Sequence, residues 1–239
     1  MAAFGILFLL SLWLSLARAA DNEYQFNFNP YAPVAGNLSG FGNFGYIYQP
    51  DNYAQYRFGW PGLIYKVNLW LQLCGGLDAY YTDNLAQADT LELRPFGGAK
   101  LFVPNKAQIY LYNFTRYEYR DTVNLDTHDW SGYGRIRSRF GVEVPLTSRD
   151  RAWAPKTTYA FTDVEPFYRF DCDKWDPVRV RGGFGYVVSD KIRVELIYTA
   201  NFTRSTPGSS LDYTDNTIEL NIRVGLSKGL LGTLLNPDE

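Results

Sequence analysis

Histidine and methionine occur once each in the 239 residues, and cysteine twice. With so few soft ligands no Cys/His cluster can form, so a structural zinc site is excluded and no cofactor is expected. The two cysteines, Cys74 and Cys172, fall in different predicted strands about a hundred residues apart. Export would permit them to pair, but spacing alone does not bring their Cα atoms within bonding distance. Beyond the N-terminus no apolar run is long enough for a membrane helix, and mean hydropathy is slightly negative at -0.25, so a helical membrane protein is excluded. Charge of one sign is also lacking. The formal net charge of -2 gives no bulk attraction to nucleic acid or to an anionic membrane surface.

Aromatic residues, by contrast, make up 17% of the chain, with 19 Tyr and 16 Phe. That composition suits strands and the aromatic girdles of a barrel better than a helical core. The N-terminus reads as a secretory signal: an apolar run from Phe4 to Leu16, then an A-x-A site at Ala17-Arg18-Ala19, with cleavage expected after Ala19. Its n-region has no Lys or Arg, a departure from the usual form. Residues 20–38, rich in Asn, Pro and Gly, read as a periplasmic N-terminal segment or an extra strand. A barrel is expected over 39–229, and a tail over 230–239.

The dominant pattern is alternation. In Tyr133–Val144, Arg135, Arg137, Arg139 and Glu143 share one face, and Ile136, Phe140, Val142 and Val144 share the other. Lys191, Arg193 and Glu195 alternate likewise with Ile192, Val194 and Leu196, as do Glu219 and Arg223 with Leu220, Ile222 and Val224. A helical period fits none of these segments. Ten strands are predicted, at roughly 39–49, 55–67, 69–82, 88–103, 107–121, 130–146, 157–173, 176–188, 190–206 and 215–229. Tight turns at 66–68, 104–106 and 189–191 alternate with longer polar loops at 82–89, 121–129 and 204–215, and 147–156 breaks this rule.

Alternation alone does not separate a soluble barrel, with its charges outside, from a lipid-embedded one, with its charges inside. The predicted strands are long, and aromatics collect near their ends at Tyr46, Tyr48, Tyr80, Tyr81, Tyr117, Tyr119, Trp130, Tyr168 and Phe170. Both features favour an all-β, antiparallel outer-membrane barrel of about ten strands, or twelve if 22–31 pair. A closed sheet also satisfies every backbone group in lipid.

Several charged segments recur in a familiar order. These are Leu93-Arg94-Pro95-Phe96; Arg116-Tyr-Glu118-Tyr-Arg120; Arg135 to Pro145; Glu165-Pro-Phe167-Tyr-Arg169-Phe; and Gly182 to Tyr198 with its Gly185-Tyr186, Ser189 and Glu195. Over about residues 55–229 the chain resembles the DUF2490 family of bacterial outer-membrane proteins. The resemblance implies an outer-membrane β-barrel whose function is unassigned. Outer-membrane lipid and the barrel-assembly machinery would then be its partners. Such barrels usually finish on an aromatic strand end, whereas this chain continues to Glu239.

The alternation places nineteen residues in the lumen. They are Glu92, Arg94, Arg116, Glu118, Arg120, Arg135, Arg137, Arg139, Glu143, Asp163, Glu165, Arg169, Arg179, Arg181, Lys191, Arg193, Glu195, Glu219 and Arg223. Two readings of this charged interior stand. Cross-strand ion pairs would fill a narrow barrel and seal it, as a structural shell. Alternatively, the Arg surplus would make a narrow conduit that attracts small anions. Catalysis is not expected. A rim lipid hydrolase needs a nucleophile beside a base, and the single histidine, His128, falls in a predicted external loop. The Asn37, Asn113 and Asn201 glycosylation patterns are read as chance. The acidic loops lack the spacing of a calcium site.

Overall fold

Arg135 and Arg137 are buried at 6% and 8% exposure, while Phe140, on the opposite face of the same strand, is 53% exposed. The polar face of each strand therefore turns inward and the apolar face outward. The structure, a computed structural model, describes residues 21–103, 109–147, 154–172, 174–204 and 210–227. The signal segment 1–19, the 104–106 turn and the tail 230–239 lie outside the described residues.

The described residues form a closed barrel of eleven strands. In chain order these are β1 (Asp21–Ala35), β2 (Leu38–Gln49), β3 (Tyr53–Lys66), β4 (Leu71–Asn84), β5 (Thr90–Val103), β6 (Tyr110–Asn124), β7 (Trp130–Pro145), β8 (Thr158–Arg169), β9 (Lys174–Ser189), β10 (Ile192–Thr203) and β11 (Asp212–Gly225). The expectation of ten strands, or twelve, is corrected to eleven. The additional strand is β1, where Asn, Gln and Glu alternate with Tyr24, Phe26 and Phe28.

An odd number of strands in an up-and-down meander leaves the first and last running the same way, so closure has to be parallel. β1 and β11 pair in parallel from Asp21 opposite Asp215 to Tyr31 opposite Gly225, while the ten remaining neighbour pairs are antiparallel. The barrel is thus mostly, not wholly, antiparallel.

Both rims carry short and long connections. At the rim where β1 begins they are 50–52, 85–89, 125–129, 170–173 and 204–211. At the opposite rim they are 36–37, 67–70, 104–109, 146–157 and 190–191. The expected contrast between a tight rim and a long-looped rim is absent, because the longest connection belongs to the rim expected to be tight.

Every strand exposes at least one large apolar side chain, from Phe26 on β1 and Phe58 on β3 to Phe184 on β9, Leu196 on β10 and Leu220 on β11. Keeping a Leu or Phe in water forgoes roughly 1.5–3 kcal/mol relative to an apolar surrounding. A belt of them around the whole circumference is far more than scattered surface apolars. Near the rim where β1 begins the belt becomes aromatic: Tyr46 lies 5.2 Å from Tyr56, and Tyr117 lies 6.0 Å from Phe170, centroid to centroid. Tyr80 does not belong to this girdle. It points inward, 5% exposed, with the Arg94 guanidinium 4.0 Å over its ring.

Candidate functional site: the charged lumen

The inward faces of β5 to β9 are tied together by ion pairs. Glu92 accepts from Arg94 Nε at 2.6 Å and from Arg120 Nε at 2.8 Å, and Arg120 also donates to the Tyr133 hydroxyl at 2.6 Å. Glu118, with 0% exposure, accepts from Arg116 Nε at 2.9 Å and from Arg135, with Arg137 Nε 3.5 Å away. Glu165 accepts from Arg139 at 3.2 and 3.1 Å and faces Arg137 at 3.5 Å. Asp163 takes both arms of Arg181, at 2.9 and 2.7 Å. These are the charge-assisted, partly bidentate contacts that a planar guanidinium fork makes with carboxylates.

Three further acids extend the inner surface. Glu195 accepts from the Tyr159 hydroxyl at 2.6 Å and from Asn221 at 2.7 Å, with Arg223 at 3.1 Å. Asp78 accepts from Arg57 at 2.9 Å. Glu219 accepts from Asn27 at 2.6 Å. Arg193 is buried at 2% exposure, and Arg179 lies 5.0 Å over the Phe167 ring. Glu143 is half-buried on the inward row of β7. Arg169 closes the row at the rim, pairing with Asp171 in the following turn at 2.6 Å and covering the Tyr133 ring at 4.1 Å.

Of the nineteen residues placed in the lumen by alternation, one is displaced. Lys191 sits in the exposed two-residue turn before β10, so it follows the turn and not the inward row. Several lumen residues were not anticipated: Arg57, Asp78, Lys100, Glu23 and Asp215 all line the interior. The signal for Lys100 was present, since it continues the row Glu92, Arg94, Phe96. Arg57 likewise continues Tyr53 and Gln55. Past Arg57, however, the register shifts between Gly59 and Gly62, which breaks the alternation there.

Within this surface is a cavity of about 600 Å³. It extends from Glu23, Gln49, Tyr53 and Thr203, near the rim where β1 begins, to Tyr31, Ile64, Gln72 and Lys100. Toward the other rim Phe102, Tyr110, Tyr159 and Val187 pack into a buried cluster, flanked by Tyr112 and Phe161. Tyr159 fits there because it lies across from Gly185, where an added Cβ would collide with its ring. Tyr112 lies across Gly141 in the same way.

The cavity wall is far more basic than the barrel as a whole, with eleven Lys or Arg residues against five Asp or Glu. Glu92, Glu118, Asp163 and Glu195 do not line it. Those four carboxylates therefore stand behind their guanidiniums, whereas Glu165, paired with Arg139, reaches the open volume.

Cys74 lines the cavity and Cys172 is exposed just after β8, and both are free thiols. His128 occupies the exposed turn after β6 with a φ of 60°. That turn is held by Asn124 Oδ1, which accepts from the amides of Asp126 and Thr127 at 2.9 and 3.0 Å. Among the described residues the His128 ring makes no hydrogen bond to a hydroxyl nucleophile. No group of three or more His, Cys, Asp or Glu among them could hold a metal ion.

A closed barrel with an apolar belt outside and a guanidinium-carboxylate lattice inside defines the class of protein. The family model described as a protein of unknown function, DUF2490, matches residues 38–212, and the chain belongs to that family. The match runs from the start of β2 to the first residue of β11, so the closing seam of β1 with β11 lies almost wholly outside it. No curated protein and no solved structure matches the chain.

Proposed function

We propose that the protein is exported, loses Met1 to Ala19 as a signal peptide, and is inserted by the barrel-assembly machinery into a bacterial outer membrane. Its lumen then serves as a chamber that attracts small anions and is obstructed toward one rim. The observation that carries this reading is radial inversion: large apolar side chains are exposed on all eleven strands while Glu118 and Arg193 have 0% and 2% exposure inside. In water that arrangement is unfavourable on both faces, whereas in lipid the apolar belt is solvated and the charges remain enclosed. The basic cavity wall supplies the preference for anions.

The test has two stages. Fractionation of cells expressing the full chain should recover it with outer-membrane barrels, and recovery in the soluble periplasm would refute insertion. The refolded protein in a planar bilayer should then pass little current, and what passes should favour anions in the reversal potential. A large, unselective conductance would refute the obstructed chamber. Cation selectivity would refute the role assigned to the Arg-rich wall.

A purely structural shell is the second reading, and the packing of Glu118 among three arginines favours it. It predicts neither current nor ligand uptake.

A further inference from the structure

The charges that line the cavity are segregated across it. On β5 to β7 every charged lining residue is a cation: Arg94, Lys100, Arg116, Arg120 and the Arg135, Arg137, Arg139 row. On the opposite side, at the seam of β11 with β1, three carboxylates line the same cavity toward the rim where β1 begins: Glu23, Asp215 and Glu219; Arg223, farther along β11, also lines it and is paired with Glu195 at 3.1 Å.

These seam carboxylates are satisfied by neutral donors. Glu23 accepts from the Thr217 hydroxyl at 2.9 Å and from the Tyr53 hydroxyl. Asp215 accepts from the Thr214 hydroxyl at 3.0 Å and from the Asn201 amide, and Glu219 accepts from the Asn27 amide at 2.6 Å. Among the described residues no cation forms an ion pair with any of the three. Each keeps lone pairs free to accept further donors, and no described guanidinium or ammonium lies within ion-pair distance of it.

A two-strand seam carrying carboxylates without ion pairs opposite a wall of guanidiniums sets a field across the lumen. Field lines concentrate where low-dielectric walls enclose a narrow aqueous space. A purely anionic guest gains at the Arg wall and is repelled at the seam, whereas a cation meets the reverse. A guest with both charges, one at each end, gains at both walls and orients along the field. Amides and hydroxyls on the seam side, among them Gln25, Asn27 and Thr217, offer acceptors for the ammonium protons and donors for a peptide carbonyl.

We propose that the chamber binds small zwitterions, with the carboxylate on the β5–β7 arginines and the ammonium on Glu23, Asp215 and Glu219. A cavity of about 600 Å³ accommodates a molecule of amino-acid to short-peptide size. This inference rests on the anion-attracting chamber and names its ligand class. All three seam carboxylates lie outside residues 38–212, so this specificity is not supplied by family membership.

The test uses three molecules of nearly equal shape and different charge on the refolded full barrel at low salt. Glycylglycine is the zwitterion, N-acetylglycylglycine the anion and glycylglycinamide the cation, each followed by isothermal titration. The zwitterion should bind on the order of tenfold more tightly than either singly charged form. In an E23Q/D215N/E219Q variant, shown to be folded by its heat-modifiable gel mobility, the ratio of zwitterion to anion affinity should fall to about one.

Equal binding of the zwitterion and the N-acetyl anion to the unmodified protein would overturn this inference and leave the anion-attracting chamber standing. Binding of none of the three, or tightest binding of the cation, would overturn both.

Discussion

Replacing Glu118 by Gln keeps the shape of the side chain and removes one charge from the centre of the ion-pair lattice. The carboxylate has 0% exposure and is the shared acceptor for Arg116 and Arg135, with Arg137 at 3.5 Å. In E118Q one amide oxygen remains as an acceptor, while the amide nitrogen presents donors to guanidiniums that are donors themselves. Three buried cations would then share the remaining acids: Glu165 at 3.5 Å from Arg137, and Asp78 at 3.9 Å from Arg116. Removing one partner of a buried pair costs about 3–5 kcal/mol, because the partner charge stays buried. The triple contact places E118Q in that range. The comparison is R169A, whose ion pair with Asp171 is 32% and 37% exposed, screened by solvent, and should contribute far less than the buried lattice. Reversible urea unfolding in lipid vesicles, followed by tryptophan emission, measures both. A loss below about 1 kcal/mol for E118Q, or equal losses for E118Q and R169A, would refute the view that the lattice holds the barrel closed.

Two further outcomes follow from the two rims. G185A places a Cβ against the Tyr159 ring, which is fully buried in the aromatic cluster, so it should destabilise the barrel by about 1–3 kcal/mol or raise the conductance as the ring is displaced. An unchanged urea midpoint with unchanged conductance would count against that cluster as the obstruction. At the other rim, the Tyr81 hydroxyl donates to Asp89 at 2.7 Å, and the Asn84 amide donates to it at 3.1 Å. Together they hold the Asp89 carboxyl below its ordinary value of 3.8. A depressed carboxyl stabilises the turn fully above the ordinary value and loses that contribution as pH falls through the lowered one. Exchange protection of the Asn84 amide, corrected for the intrinsic rate, should therefore be flat from pH 6 to about 4.5 and fall only at lower pH. Loss of protection beginning near pH 6 would refute the assignment.

How much of this was legible in the sequence differs by element. The strands β5 to β8 could be read because each inward row is marked by charges two apart, as in Arg135, Arg137 and Arg139. A one-residue slip there would put guanidiniums in the apolar belt. β1 was harder, since its inward row is Glu23, Gln25, Asn27 and Asn29, and neutral amides interrupted by Pro30 and Pro33 read equally well as a loop. Its placement depends on β11, almost two hundred residues away, and a parallel closing pair leaves no hairpin turn to announce it. Lys191 shows the limit of alternation in the other direction: it keeps the period of Arg193 and Glu195 but falls beyond the last ladder pair, Ile192 with Ser189, where the turn decides its direction. The segregation of charge across the cavity was not legible at all. It depends on which strands face one another around the closed barrel, and that follows from the number of strands. With ten antiparallel strands the acids of the last strand would have closed against β2, whose inward residues Phe41, Asn43 and Ile47 carry no charge. The eleventh strand brings Glu23 beside Thr217 and completes the acidic seam.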